Sequence, residues 1–136
     1  MVTVKDLLKT KGSDVWSVSP DMTMIDTLKF LADKDIGALM VTKDGEMIGI
    51  VSERDFVRSI AKTGQVLLHS TVDHYMVREV FTVTHDQTIE QCMQIMTEKH
   101  IRHLPVLEDG KLIGVISIGD VVREMISNKE FTINQL

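Results

Sequence analysis

Two short motifs of the same form carry the clearest potential chemistry in this 136-residue chain. Ser52 precedes Asp55, and Ser117 precedes Asp120, by three residues in each case. As local structure, S-x-x-D is typical of a capping box at a helix start. As a binding site, free amides at a helix start attract phosphate, and a carboxylate accepts both hydroxyls of a ribose diol. The motifs therefore indicate either two helix caps or two sites for a nucleoside phosphate.

The two motifs differ at their third position. Arg54 stands in the first motif and would add a permanent positive charge with a forked set of donors, whereas Gly119 stands in the second. We therefore expect the two sites to be unequal.

The motifs occur twice because the chain contains an internal repeat. Residues 18–58 overlay residues 83–123 at a constant shift of 65 without a gap, and 15 of the 41 aligned pairs are identical. Such a unit normally needs a neighbour to bury its apolar face. The predicted fold is α/β (α+β), with two β-α-β-β-α repeats about a pseudo-two-fold axis. The predicted boundaries are residues 1–61 for the first repeat with an N-terminal helical segment, 62–71 for a linker, 72–127 for the second repeat and 128–136 for a tail.

Local signals place the elements of each copy. The predicted first strands are residues 15–18 and 80–83, and Thr23 and Thr88 have the spacing of helix caps. Asp44-Gly45 and Asp109-Gly110 separate apolar runs and predict hairpin turns, because glycine readily takes a positive φ. Gly64 predicts the end of a helix.

Composition and missing signatures exclude several functional classes. The formal net charge of −5 repels polyanions, so no nucleic-acid partner is expected. The motifs G-x-G-x-x-G, G-x-x-x-x-G-K-[ST], H-E-x-x-H and C-x-x-C do not occur, and no catalytic residue is assigned. No apolar run approaches the ~18 residues that cross a bilayer, so we expect a cytoplasmic protein without a membrane partner. The sequence predicts a protein that is not an enzyme.

Three other features have plain interpretations. Cys92 lies in a predicted helix and is interpreted as a small buried hydrophobe, with a reactive thiol as the less favoured alternative. The five histidines lack a completing cluster of carboxylates or thiols, so no metal site is expected. Lys9-Thr10-Lys11 is interpreted as a solvated surface.

The paired pattern resembles a tandem CBS-domain pair, also called a Bateman module, of the stand-alone signal-transduction type. The resemblance covers the chain from about Val4 to about Ile126 and rests on the Asp-Gly hairpins and three segments: I-G-I-V-S-E-R-D, I-G-V-I-S-I-G-D and Ile101-Arg102-His103-Leu104-Pro105-Val106. It implies a regulatory module that binds AMP, ADP, ATP, NAD or S-adenosylmethionine in clefts between the repeats, with no catalytic cofactor.

The resemblance also implies roles for individual residues. By position, Asp55 and Asp120 are the ribose ligands, and Ser52 and Ser117 are their polar companions. Arg102 and His103 are the expected phosphate contacts, and Arg54 adds to them. The other expected ligand contacts are apolar or backbone groups: Val18, Ile36, Gly37, Ala38, Val83, Ile101 and Pro105.

The first copy departs from the family pattern, since Gly37-Ala38 stands where the second copy has Arg102-His103. Family geometry implies that these residues of one copy lie near the ligand whose ribose the other copy holds. A phosphate-rich ligand is therefore expected to prefer Asp55. NAD is a candidate beside AMP, because two unequal sites suit a ligand with two unequal ends.

The resemblance further implies a homodimer formed through helices and an effector protein of unknown identity. The tail from Phe131 to Leu136 alternates apolar and polar residues and is expected to pack on a partner subunit. The alternative is a ligand-free structural or dimerisation module that docks on a partner protein.

Overall fold

The computed structural model describes the backbone of residues 1–135 and the side chains of residues 1–127. The strand, helix, hairpin and helix order occurs twice, as predicted. Helices and strands follow in this order: α1 Val4–Lys11, β1 Ser17–Val18, α2 Met24–Lys34, β2 Ala38–Lys43, β3 Glu46–Ser52, α3 Glu53–Thr63, a 3₁₀ turn Val72–His74, β4 Val83–Thr84, α4 Ile89–Lys99, β5 His103–Glu108, β6 Lys111–Ser117 and α5 Ile118–Gln135.

The chain forms two compact units that do not follow the order of the repeats along the sequence. The first-repeat unit comprises Trp16–Val80, and the second-repeat unit combines Met1–Val15 with the residues from Phe81 onward. Residues 1–15, which precede the first repeat in the sequence, therefore pack with the second. The predicted grouping of this segment with residues 16–61 reflects chain order and not packing.

Each unit contains one three-stranded sheet. β1 and β2 are parallel, and β2 and β3 are antiparallel, so β3 is an edge strand. The second-repeat unit has the same arrangement for β4, β5 and β6. Both first strands are shorter than predicted and lie further along the chain, because the parallel ladder starts only at Ser17 and at Val83.

The predicted turn and cap signals are confirmed. Asp44 and Gly45 have φ values of 53° and 80°, the two positive values that a type I′ hairpin turn requires. The hydroxyls of Thr23 and Thr88 accept hydrogen bonds from the amides at the third helical positions, at 3.3 and 3.1 Å. α3 ends at Gly64, which has a φ of 69°. Local sequence thus decides where most elements begin and end.

Each unit has its own apolar core. Helix α1 contributes Val4 and Leu7 to the core of the second-repeat unit, where Cys92 is also fully buried. Its full burial confirms the interpretation of Cys92 as a small buried hydrophobe, and burial together with the nearby Glu90 raises the pKa of the thiol to about 11. The first-repeat unit is centred on Phe56 and Leu31.

The segment before each repeat in the sequence pairs with the other repeat. Met24 N–H donates to Ser70 O at 2.8 Å, so the linker covers the start of α2. In the second-repeat unit, Ile89 N–H donates to Val2 O at 3.2 Å, so the N-terminal segment covers the start of α4. These bonds satisfy helix-start amides that would otherwise lack partners.

Two further findings concern the ends of the chain and its helices. The backbone of residues 131–135 continues α5, and the predicted packing of the tail on a partner subunit concerns side chains outside the described residues. No helix within the described part of the chain is long and apolar enough to cross a membrane.

Candidate functional site

Both S-x-x-D motifs lie where an edge strand meets the following helix, and both form capping boxes. Ser52 N–H donates to Asp55 Oδ2 at 2.8 Å, and Asp55 N–H donates to Ser52 Oγ at 3.4 Å. The matching distances for Ser117 and Asp120 are 2.8 and 3.2 Å. The interpretation of both motifs as helix-capping boxes is therefore confirmed. The two carboxylates differ in their other contacts.

The residues that differ between the copies lie beside these helix starts. Glu53 N–H donates to Gly37 O at 3.1 Å, and Ile118 N–H donates to Arg102 O at 2.8 Å. His103 pairs with Ser117 in the ladder of β5 and β6. Within its own unit, the Arg102-His103 pair thus lies at the start of α5, next to the motif that contains Asp120.

The family resemblance implies that Arg102 and His103 contact a ligand whose ribose is held by Asp55. That assignment relates two different units and stays a prediction. Gly37 and Ala38 in turn lie beside Ser52, since Ala38 pairs with Ser52 across β2 and β3. The structure therefore brings together a polar group of residues in the second repeat and a small, uncharged one in the first.

The carboxylate of Asp55 has an open side. Its Oδ2 accepts from the Ser52 amide at 2.8 Å and from the Ser52 hydroxyl at 3.0 Å. Among the residues whose side chains are described, none donates to Oδ1, and no ion pair joins Arg58 to this carboxylate. Because a carboxylate oxygen accepts about two hydrogen bonds, Asp55 keeps room for two further donors.

The carboxylate of Asp120 is instead held by two cations. Lys11 Nζ lies 2.6 Å from Oδ2, and the Arg123 guanidinium lies 2.6 Å from Oδ1. The Asp120 side chain is only 8% exposed. Burial alone would raise its pKa, but hydrogen bonds from Lys11 and Ser117 outweigh burial and hold the pKa of Asp120 below its ordinary value.

Gly119 leaves space beside the ion pair of Arg123 and Asp120. A Cβ atom at Gly119 would lie 3.3 Å from the Arg123 guanidinium, so this glycine leaves the space that Arg123 fills. The first motif has Arg54 at this position, and the equivalent Arg58 forms no ion pair with Asp55 among the described side chains. The predicted inequality of the two motifs thus extends to their ion pairs.

Helix α1 brings Lys11 to the same carboxylate. Leu8 packs over β6, where a Cβ atom at Gly114 would lie 2.8 Å from Leu8 Cδ2. Three residues further on, the Lys11 ammonium contacts Asp120 and also donates to Val115 O. Lys9, Thr10 and Lys11 are exposed, as interpreted, but the packing of α1 on the second repeat also places the charge of Lys11 next to a carboxylate.

His103 is partly buried beside this group of charges. Burial lowers the pKa of His103, and the nearby Lys11 and Arg102 lower it further, while Asp120 opposes them. The surroundings of His103 thus disfavour its protonated form.

The other predicted contact residues differ in their accessibility. Val18, Val83 and Pro105 are buried, Arg102 is exposed, and the rest are partly exposed: Arg54, Ile36, Gly37, Ala38 and Ile101. The described residues contain no group of three or more histidine, cysteine, aspartate or glutamate side chains arranged to hold a metal ion.

Lys11 and Arg123 contact Asp120 but were not among the predicted site residues. Arg123 had a signal, because an arginine follows the motif aspartate by three residues in both copies. Lys11 had none, since it lies outside the repeated region and only the packing of α1 brings it to Asp120.

Two β-α-β-β-α repeats with a capping-box aspartate after each hairpin define the class of CBS-domain pairs. The family model of the CBS domain matches residues 4–62 and 72–127. The chain therefore belongs to the CBS-domain family.

Three relatives illustrate the similarity. The chain is 37% identical over 134 residues to the CBS domain-containing protein CBSX3, mitochondrial, of Arabidopsis thaliana, covering 91% of this chain and 65% of that protein. It is 43% identical in sequence to the CBS-domain containing protein ATU1752 from Agrobacterium tumefaciens. The crystal structure of that protein matches with a TM-score of 0.88, and the match covers 91% of this chain and 99% of that chain. The CBS domain pair of MJ0100, solved with 5′-methylthioadenosine and S-adenosyl-L-methionine, is 20% identical with a TM-score of 0.81 and coverage of 94% and 98%, which shows a shared fold.

Proposed function

We propose that this CBS-domain pair is a regulatory module that binds an adenosine-type ligand such as AMP, ADP, ATP or NAD. Binding shifts the population of conformations that an effector protein reads, by as much as the affinity differs between those conformations. The module itself carries out no reaction.

The observation that carries this proposal is the open side of Asp55. The capping box fixes the carboxylate at the start of α3, while Oδ1 remains available to donors. Besides the Ser52 amide, the only donor described at Oδ2 is the Ser52 hydroxyl, which can rotate away. A 2′,3′-diol supplies the two donors that such a carboxylate accepts.

The rest of the ligand follows from the chemistry of the predicted contacts. Arg54, Arg102 and His103 are the proposed phosphate partners, because guanidinium groups bind phosphate through paired donors. The adenine is proposed to lie against the partly exposed members of the predicted apolar contacts, which are Ile36, Ala38 and Ile101. The adenosine-type ligands of MJ0100 support this ligand class, since that pair has the same fold.

Titration calorimetry with adenosine and AMP tests the proposal on the unchanged chain and on Asp55→Asn. Asparagine keeps an oxygen for the Ser52 amide but loses the charge that accepts the diol. We expect the variant to bind both ligands roughly 10- to 150-fold more weakly, the range for one charge-assisted hydrogen bond. Asp33→Asn, an exposed change of the same kind on α2, is the matched control and should bind like the unchanged chain.

Two comparisons make the test specific. 2′-Deoxyadenosine should bind the unchanged chain about as weakly as adenosine binds Asp55→Asn, because it lacks one hydroxyl of the diol. Equal affinity of adenosine for the unchanged chain and for Asp55→Asn would contradict the proposed ribose contact. A double-mutant cycle of Arg102→Ala with Asp55→Asn tests whether both residues bind one AMP molecule.

The proposal includes a homodimer that associates through helices. Exposed apolar side chains on α3 and α5 support it, since Val57 is 64% exposed and Ile126 is 52% exposed. Sedimentation of the unchanged chain and of Val57→Lys distinguishes a dimer formed through α3 from a monomer. A cytoplasmic location and an effector protein remain predictions.

A ligand-free module that docks on a partner protein remains the alternative function. It predicts that adenosine compounds leave the melting temperature unchanged, whereas a ligand at 100-fold its Kd adds about 2.7 kcal/mol to the stability of a binding module.

A further inference from the structure

The two units have equivalent edge-strand carbonyl groups that accept hydrogen bonds from different kinds of donor. Ile50 and Val115 occupy equivalent positions in the repeats. In the first-repeat unit, Val77 N–H donates to Ile50 O at 2.8 Å, and Ile50 N–H returns a bond to Val77 O at 3.0 Å. In the second-repeat unit, the Lys11 ammonium donates to Val115 O. A charged side chain thus takes the place of a backbone amide.

This replacement brings a positive charge to only one of the two motif carboxylates. An ammonium group has three donors, so Lys11 can contact Val115 O and Asp120 Oδ2 at the same time. A backbone amide has one donor, and Val77 uses it on Ile50. The Lys11 side chain is 34% exposed, so its contact with Asp120 can exchange with solvent or with a ligand.

The hydrogen-bond capacity of Asp120 is almost filled by the protein. Oδ2 accepts from the Ser117 amide and from Lys11, and Oδ1 accepts from Arg123. A carboxylate has about four acceptor positions, so one remains, whereas a diol needs two. A ribose therefore cannot bind Asp120 through both hydroxyls while both cations stay in place.

We propose that Lys11 is a tethered competitor of the ligand diol at Asp120. An adenosine-type ligand then occupies Asp55 first, and release of Lys11 from Asp120 frees the second acceptor position that the diol needs there. This inference rests on the proposed function and adds a regulatory role for α1 to it. Occupancy of the second carboxylate and release of Lys11 become linked, so that either one favours the other.

Calorimetry with adenosine tests this role on the unchanged chain, Lys11→Met and Lys9→Met. Adenosine has no phosphate, so the loss of a lysine cannot act through a phosphate contact. Lys9 lies in the same last turn of α1 and is the matched control. For the unchanged chain and Lys9→Met, we expect one adenosine per chain and a second site at least about 10-fold weaker. Lys11→Met should tighten the second site by about 10-fold or more.

Two further variants test whether the gain in adenosine affinity arises from the loss of the Lys11 charge next to Asp120. Lys11→Gln keeps a donor for Val115 O but has no charge, and it should give the same gain as Lys11→Met. Adding Asp120→Asn to Lys11→Met should abolish the gain, and 2′-deoxyadenosine should not show it.

The outcomes separate this inference from the proposed function. If the unchanged chain binds adenosine and Lys11→Met binds it identically, Lys11 is no competitor, and the proposed function stands. Weaker binding to Lys11→Met would make Lys11 a ligand contact and would also overturn the inference. If neither chain binds adenosine, the inference and the proposed function both fail.

Discussion

At the scale of single residues, the two motif aspartates have the same local structure and different electrostatic surroundings. Both accept a hydrogen bond from the amide of the serine three residues earlier. Asp120 in addition contacts Lys11 and Arg123, while the described side chains leave Asp55 Oδ1 open. The same motif therefore predicts the same cap but not the same binding capacity.

His103 makes the stability of the protein depend on pH. Its pKa is lowered below the ordinary value of 6.5 by burial and by Lys11 and Arg102. At a pH between the lowered pKa of His103 in the folded protein and the ordinary value of 6.5, the unfolded chain binds a proton that the folded chain does not. The contribution of His103 to stability is therefore complete above pH 6.5 and decreases as the pH falls. One proton gives a slope of at most about 1.4 kcal/mol per pH unit.

Urea unfolding at about pH 7.5, 6.5 and 5.5 measures this slope, because these values bracket the ordinary histidine pKa of about 6.5. The unchanged chain should lose stability towards the acidic end, and His103→Gln should show a smaller loss. His69→Gln, in the exposed linker, is the control and should behave like the unchanged chain. An equal slope for the unchanged chain and His103→Gln would contradict the burial of a neutral imidazole.

Among the helices and strands, each edge strand contains a glycine that lets a segment from outside the strand's own sheet pack closely over it. A Cβ atom at Gly49 would lie 2.9 Å from Val77 O and 2.9 Å from Met76 Sδ. A Cβ atom at Gly114 would meet only the end of the Leu8 side chain, at 2.8 Å from Cδ2. A Cβ atom at Gly49 would therefore meet a backbone atom, whereas a Cβ atom at Gly114 would meet a side chain that can rotate.

We therefore expect Gly49→Ala to be more destabilising than Gly114→Ala. Val77 cannot move without breaking its two hydrogen bonds with Ile50, at 2.8 and 3.0 Å. Overpacking of this kind costs about 1–3 kcal/mol, and Gly114→Ala should lie at or below the lower end. Urea unfolding of both variants measures the difference, and equal losses would show that the Val77 backbone yields as easily as Leu8.

At the scale of the molecule, the packing units and the sequence repeats have different boundaries. Val4 and Leu7 of α1 are buried in the core of the second-repeat unit, although they precede the first repeat in the chain. The linker residues before the second repeat cover the start of α2 in the first-repeat unit. The N-terminal segment is therefore a structural part of the repeat that contains Asp120.

Leu7→Ala should weaken the second-repeat unit, by roughly 2–5 kcal/mol for a buried leucine. Hydrogen exchange followed by mass spectrometry should show the earliest loss of protection in residues 81–127. Leu31→Ala is the matched variant in the core of the other unit and should first affect residues 16–80. If Leu7→Ala affected residues 16–80 first, α1 would not belong to the core of the second-repeat unit.

The repeat, the order of elements, the hairpins, the helix caps and the family could all be predicted from the amino-acid sequence, because they depend on local signals and on a pattern that occurs twice. Asp44-Gly45, Thr23 and Ser52 need only their near neighbours to act. The sequence also indicated that the two motifs are unequal, through Arg54 and Gly119.

The ion pairs of each motif carboxylate could not be predicted in this way, because they depend on the packing of distant elements. The Lys11 contact with Asp120 depends on α1 packing with the second repeat, and no local pattern around Lys11 encodes that choice. Ion pairs between residues far apart in the chain follow from how the apolar faces of the elements are buried, and the charges come together as a consequence.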